Sequence, residues 1–307
     1  LLIIMMEVNT MYLNVKETAE KWKISERSVR NYCSHGKIPG AIIDGKSWKI
    51  PNNAVKPVRK KRNAMIPRDL LTRLTIEKES GISGGIYHKI QIDLTYNSNH
   101  IEGSRLSHDQ TRYVFETNTI NIQNETVNVD DIVETANHFK CIDLIIDLAN
   151  YPLSESLIKQ LHLILKSGTS DSRKSWFAVG DYKRIENEVG GMPTTKPENV
   201  CKELKALLKS YNNIKQKSLK EIIEFHYEFE KIHPFQDGNG RVGRLIMFKE
   251  CLRNGITPFI IEDDLKEFYY RGLKEWKNEQ GYLVDTCLTA QDRFKTYLDY
   301  FGIEYKD

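Results

Sequence analysis

Hydrophobic positions recur at helical spacing along most of the chain. Residues 129–150 place Ile132, Ala136, Phe139, Ile142, Ile145 and Leu148 on one stripe, and residues 154–166 do the same with Leu157, Leu161 and Leu165. Similar stripes run through 197–211, 218–232, 240–254, 263–278 and 285–301. Ser107 followed by Gln110 forms a capping box that opens a further helix through about Glu116. From residue 106 onward the pattern therefore predicts a mainly α bundle. One stretch breaks it. Residues 176–195 carry turn residues at Gly180-Asp181 and Gly190-Gly191 with short non-helical runs between, which predicts a hairpin projecting from the bundle. No internal repeat is visible.

The first 56 residues follow a different plan. Asn14 with Glu17 caps a first helix, on which Val15, Ala19 and Trp22 share a face. Ser25 caps a second, supported by Val29 and Tyr32 and stopped at Gly36. After Pro39, two short strands meet at Asp44-Gly45, a strong hairpin signal. Two short helices, a tight break and a hairpin make a winged helix-turn-helix plan. The segment resembles excisionase and MerR-type DNA-binding modules over about 45 residues. Arg27, Arg30 and Asn31 on the second helix, with Lys46 on the wing, are the candidate DNA contacts. The alternative is a small protein-binding or dimerising domain.

Charge sharpens the division. Residues 1–63 carry 13 Lys/Arg and 5 Asp/Glu, a net of +8, whereas the remainder carries 32 and 37, a net of −5. A basic front end attracts polyanions by charge alone. The expected organisation is a DNA-binding-like domain over 1–56, a basic linker over 57–74 that includes the run Val58 to Asn63, and a helical domain over 75–307. Five widely spaced cysteines without a CxxC pair argue against a disulfide framework or a zinc site. No apolar run reaches the roughly 18 residues of a membrane span. The opening six apolar residues are too few for a secretory signal, so a cytoplasmic protein is expected, with Met5, Met6 and Met11 as candidate starts.

The chemistry concentrates in residues 233–244, HPFQDGNGRVGR, which lie between two helical stripes. Pro234 interrupts the first helix. Gly238 and Gly240 allow a tight turn and a close backbone approach. The next helix aims its N-terminal N–H groups at the loop, which suits an anion. Arg241 and Arg244, three apart, present fork-shaped donors for phosphates. Asp237 offers a hard oxygen for Mg²⁺, and His233 titrates near neutral pH. The same stretch contains GNGRVG, a GxGxxG dinucleotide fingerprint. That fingerprint requires a preceding strand, and the Glu- and Lys-rich segment before it is helical, so a Rossmann reading is rejected.

These residues match the Fic motif HPFx(D/E)GNGRxxR at every defined position, and the chain from about 75 to 305 resembles the Fic (Fic/Doc) family. The resemblance implies a protein adenylyltransferase. In that family's scheme His233 deprotonates a Ser, Thr or Tyr hydroxyl of a protein substrate, and Asp237 holds Mg²⁺ between the α- and β-phosphates of ATP. Gly238, Asn239 and Gly240 form the anion hole, Arg241 binds the phosphate chain, and Arg244 pairs with the γ-phosphate. Ser98 and Glu102, in SNHIEG, match the family's inhibitory motif (S/T)xxxE(G/N). The implied inhibitory helix, about 97–103, would set Glu102 against Arg244. In some members the same glutamate supports removal of AMP.

The 176–195 hairpin resembles the target-docking flap, with Gly180, Tyr182 and Lys183 as its candidate residues. Tyr269 or Tyr270 would line the base pocket, Tyr270 being the chosen candidate, with Lys277 or Asn278 further along. His226 and His100 are expected to pack or lie at the surface. Family members often dimerise, so a homodimer is among the expected assemblies. Two further functions stay open: a DNA-binding regulator whose Fic body senses nucleotide or dimerises, and a toxin-like modifier held off by Glu102.

Overall fold

A computed structural model of the chain describes residues 11–34, 36–45, 47–57, 67–122 and 126–305. The chain divides into two compact units, residues 1–65 and 66–307.

The first unit pairs two helices with a small sheet. Helices α1 (Val15–Trp22) and α2 (Glu26–Ser34) accompany strands β1 (Tyr12–Leu13), β2 (Ile42–Asp44) and β3 (Ser47–Pro51). The antiparallel sheet has the order β1-β3-β2, with Asp44 opposite Ser47 across the hairpin. Asn14 and Glu17 cap α1 reciprocally: Asn14 Oδ1 accepts from the Glu17 N–H at 2.9 Å, and Glu17 Oε2 accepts from the Asn14 N–H at 2.8 Å. Val15, Ala19, Trp22, Val29, Cys33, Ile38 and Ile50 form the core. Strand β1 is the one element of this unit that the apolar pattern did not announce. It is two residues long, held by pairing to β3 rather than by its own composition. Arg27, Arg30 and Asn31 lie on the exposed face of α2, with Arg30 paired to Glu26 at 2.6 Å. Lys46 and the basic run 58–63 lie outside the described residues.

The second unit is a helical bundle. Its helices are α3 (Leu70–Ser80), α4 (Ile86–Ile101), α5 (His108–Thr117), α6 (Val129–Asp147), α7 (Glu155–Lys166), α8 (Pro197–Asn213), α9 (Leu219–Ile232), α10 (Asn239–Asn254), α11 (Lys266–Glu275) and α12 (Gly281–Phe301). Helix α3 begins inside the stretch expected to be linker. Asp69 Oδ2 accepts from the Thr72 N–H and starts it, a short-range cap hidden in a polar run. Helices α3 and α4 both precede residue 106, where the regular stripe begins. Of helix α4 only the end was expected, as the helix implied at about 97–103; no apolar stripe marks its polar second half, where Asn97, Ser98 and Asn99 are all buried.

Helix α10 is buried along nearly its whole length and packs against α4, α6, α7 and α9. It carries Val242, Leu245, Ile246 and Phe248 into the main core. A second cluster, around Ile101, Tyr227, Met247, Tyr269 and Trp276, ties α4, α9, α10 and α11 together. The hairpin between α7 and α8 is shorter than 176–195. Only β4 (Glu188–Val189) and β5 (Met192–Pro193) pair, and residues 176–187 are irregular. All five cysteines are free. No helix among the described residues is long and apolar enough to cross a membrane.

Candidate active site

The site is built where α9 ends and α10 begins. Helix α9 closes on His233, which adopts the left-handed conformation (φ 51°) while its N–H still bonds the Phe229 carbonyl at 2.9 Å. That conformation is uncommon for a residue with a Cβ. Pro234 then forces the chain out of the helix. Phe235 is fully buried and stacks flat on His162 of α7, with centroids 4.0 Å apart. Asn239 clamps the turn from the other side: its Oδ1 accepts from the Phe235 N–H at 2.8 Å, and its amide donates to the Phe235 carbonyl at 2.9 Å. The Asn239 side chain therefore braces the loop from within, and its backbone N–H is what it can offer a ligand. Gly238, at φ 82°, admits the reversal into α10.

His233 is poised as an acceptor. Its Nδ1 lies 3.3 Å from the Glu230 carbonyl oxygen. A carbonyl only accepts, so Nδ1 carries the hydrogen and Nε2 keeps its lone pair. Burial, reinforced by the nearby Lys183 cation, pulls the imidazole down to about 4. It is neutral at neutral pH, as a general base must be.

Asp237 faces a pair of cations. Its Oδ2 accepts from Lys166 Nζ at 2.6 Å and from Arg241 at 3.2 Å. Against the burial that would raise it, Arg241 and Lys166 hold this carboxyl well below the usual carboxylate range. Glu134 of α6 bridges the same two cations from the inner side. Arg241 is buried within this network. Lys166 and Glu134 were not foreseen: each sits at an unremarkable place on a helix, and only the packing of α6, α7 and α10 brings them together.

The donor set suits a divalent cation that takes few protein ligands. Asp237 is an ionised hard-oxygen carboxylate, and its side chain is still 46% exposed. Among the described residues no group of three or more His, Cys, Asp or Glu could hold a metal by itself. The adjoining cations oppose a bare metal ion, so phosphate oxygens would have to supply the remaining ligands.

Arg244 is held by the end of α4. Its guanidinium donates to Glu102 Oε1 at 2.7 Å, to the Ser98 hydroxyl at 3.0 Å and to the Ser98 carbonyl at 2.8 Å. Glu102 is the C-cap of α4, and Gly103 follows at φ 95°. The Glu102 carboxylate lies so close over Gly240 that a Cβ there would overlap it. It therefore covers the first turn of α10, where N–H groups face outward.

On the flap, Gly180 (φ 75°) donates its N–H to His162 Nδ1 at 2.9 Å, and Lys159 sits 3.9 Å above the Tyr182 ring. Lys183 requires a correction. It was expected to meet a docked target, but it is 3% exposed. Its amine donates to Asn187 Oδ1 at 2.7 Å and Thr194 Oγ1 at 2.6 Å, and its N–H bonds the Pro234 carbonyl at 2.9 Å. The ammonium turns inward because those acceptors and the His233 loop lie beneath it. Tyr270 sends its hydroxyl to the Ile101 carbonyl at 3.2 Å beside Glu102, whereas Tyr269 is buried against His226 at 2.7 Å.

Residues 152–251, which include the whole loop, match the Fic/DOC family. The helical body has the fold of solved Fic proteins. A Fic-domain signalling protein from Bacteroides thetaiotaomicron aligns with a TM-score of 0.60 at 21% identity, covering 77% of this chain and 98% of that one. A Fic family protein from Desulfovibrio desulfuricans aligns at 0.58 and 23%, covering 77% and 73%. In sequence the chain is similar to the protein adenylyltransferase Fic of Drosophila grimshawi, 30% identical over 187 residues, or 58% of this chain. It spans only 36% of that relative's length.

Proposed function

We propose that the chain is an autoinhibited protein adenylyltransferase that moves AMP from ATP to a Ser, Thr or Tyr hydroxyl of a protein. The observation that carries this reading is His233. It is neutral, with the lone pair on Nε2, and it caps α9 just before the loop that opens α10, whose N-terminus suits phosphates. The sequence relatives named protein adenylyltransferase support the reading.

The target hydroxyl gives its proton to His233 Nε2 as its oxygen bonds the α-phosphorus. The bond from that phosphorus to the oxygen bridging to the β-phosphate breaks, and pyrophosphate leaves with the electron pair. The first N–H groups of α10, with Gly238 and Gly240 allowing close approach, stabilise the charge developing on the phosphoryl oxygens. Arriving phosphate charge also raises the affinity of His233 for the proton it accepts. Mg²⁺, when bound at Asp237, would neutralise the phosphate oxygens and orient them. Arg241 fixes Asp237 in place, and Arg244 is the donor for the γ-phosphate.

Glu102 is the brake. It occupies Arg244 and overhangs the phosphate end of the site, so ATP meets a carboxylate where its own anion belongs. In the reverse direction the same glutamate would orient a water for AMP removal. The flap from Gly180 to Pro193 offers its outer edge, with Tyr182, to an extended target segment. The basic first unit would bind duplex DNA through Arg27, Arg30 and Asn31 on α2 and Lys46 on the wing.

The test is α-labelled ATP with Mg²⁺ and the purified chain carrying Glu102→Gly. Label on protein that disappears in Glu102→Gly/His233→Ala is expected. Absence of label in folded Glu102→Gly protein, supplied with candidate targets, would favour a nucleotide-sensing regulator instead.

A further inference from the structure

Behind His233 lies a carboxyl that the adenylyl-transfer scheme does not use. Glu230 sits one helical turn before His233 on α9, its side chain 12% exposed. Its Oε2 is 3.8 Å from His233 Nδ1, and its backbone carbonyl already accepts from that nitrogen. Its Oε1 has no hydrogen-bond partner among the described residues. A Cβ on Gly243 would lie 2.8 Å from this oxygen, so the glycine leaves the space that the carboxyl fills against α10. An unpartnered carboxyl in such a place costs stability, and costs of this kind collect at functional sites.

We propose that Glu230 is a positioning residue that couples the His233 imidazole to the Glu102–Arg244 pair. The inference rests on the adenylyltransferase reading. The charged and titratable groups around Glu230 come from every element packed on it: Glu102 from the end of α4, His226 and His233 from α9 and its cap, Arg244 from α10, and Tyr269 and Tyr270 from α11. Burial, then the Glu102 charge, push Glu230 up to about 8, while Arg244 opposes them. With the brake in place, burial and the Glu102 charge favour the neutral Glu230 carboxyl, which lends His233 no negative charge. The two carboxyls then carry one negative charge, which the Arg244 guanidinium balances.

Removing Glu102 takes away one of the two influences that keep Glu230 neutral. Glu230 then ionises behind Nδ1, and a carboxylate there favours the imidazolium that forms as His233 takes the target's proton. Loss of the brake thereby strengthens the base as well as opening the phosphate end.

The decisive comparison is the titration of His233, followed by NMR of labelled imidazole Cε1 in the full chain without nucleotide. The His233 signal is assigned by its loss in His233→Ala. Glu102 itself supports the His233 cation, so its direct loss in Glu102→Gly would lower the midpoint. Coupling through Glu230 predicts the opposite: a midpoint above about 4 in Glu102→Gly that falls back in Glu102→Gly/Glu230→Gln. In the adenylylation assay the double variant should lose about 10–100-fold in kcat with KM for ATP unchanged, at or below the roughly 10²–10⁴-fold that a general base itself contributes.

Glu230→Val serves the same comparison should the Gln variant fail to fold. Filling the site with an apolar side chain should raise Tm while lowering kcat, whereas a merely structural residue would move both down. Equal His233 midpoints and equal kcat in Glu102→Gly with and without Glu230 would overturn the coupling. If Glu102→Gly transfers no AMP at all, the adenylyltransferase reading fails, and the NMR midpoints alone decide the coupling.

Discussion

His233 is tuned by neighbours rather than by its own type. Lys183 contributes to its depression, so Lys183→Met should raise the His233 midpoint from about 4, read by imidazole NMR. An unchanged midpoint would remove Lys183 from the electrostatics of the site. Asp237 gives a second check at this scale. With Lys166 and Arg241 pressed on its carboxyl, Mg²⁺ alone should show no calorimetric binding at millimolar concentration, and Mg²⁺ with a non-hydrolysable ATP analogue should bind. Binding of Mg²⁺ alone would mean that the two cations do not guard the site. The motif singled out His233, Asp237 and both arginines, and they do lie together where α9 ends and α10 begins. Lys183 was not legible as a buried strut, because its direction depends on how the irregular turn folds Asn187 and Thr194 back onto it and brings it to Ile232 of α9.

Single polar contacts decide how the helices meet. Glu134 on α6 joins Lys166 of α7 to Arg241 of α10 in the interior. Glu134→Gln leaves two buried cations short of charge, and such removals cost about 3–5 kcal/mol. A Tm lower by roughly 6–20 °C is expected, on a scale of about 2–4 °C per kcal/mol. A drop below 2 °C would show that Asp237 and Asp171 satisfy both cations without Glu134.

The regular helices were legible because one face of each is apolar. Helix α4 was not, since Thr95, Asn97, Ser98 and Asn99 are buried against partners on other elements: Thr95 on His138, Asn99 on Thr135, Ser98 on Arg244, and Asn97 on the Asp263 N–H. The pairing that the SNHIEG motif implied is nevertheless present: Glu102 meets Arg244 at 2.7 Å. The flap was overextended in the reading because Gly and Asp turn signals mark reversals without saying which residues pair.

For the whole molecule, buried histidines shape the response to pH. Burial above all pulls His138, His162 and His226 down to about 3, and His233 to about 4, from an ordinary 6.5. Unfolding exposes them to protonation below 6.5, so the stability they contribute is full above that pH and is lost as pH falls toward 4 and 3. Glu230 acts oppositely between 4.5 and 8, but it is one group against four. The urea midpoint of the larger unit should therefore be lower at pH 5 than at pH 7, and equal midpoints would contradict these shifts.

The basic first unit belongs to this scale too. With a net charge of +8 over residues 1–63, its affinity for duplex DNA should fall steeply between 50 and 200 mM salt, as counterion release requires. A fragment of the first 65 residues that shows no affinity even at low salt would exclude the DNA role.

The central claim is that one glutamate holds an otherwise complete transferase in check. The measurement that reaches it most directly is incorporation of α-labelled AMP into protein by the parent chain, Glu102→Gly and Glu102→Gly/His233→Ala, side by side with Mg²⁺. The account predicts little label on the parent, at least tenfold more on Glu102→Gly, and none when His233 is also lost. Equal labelling of the parent and Glu102→Gly, with both folded, would contradict it.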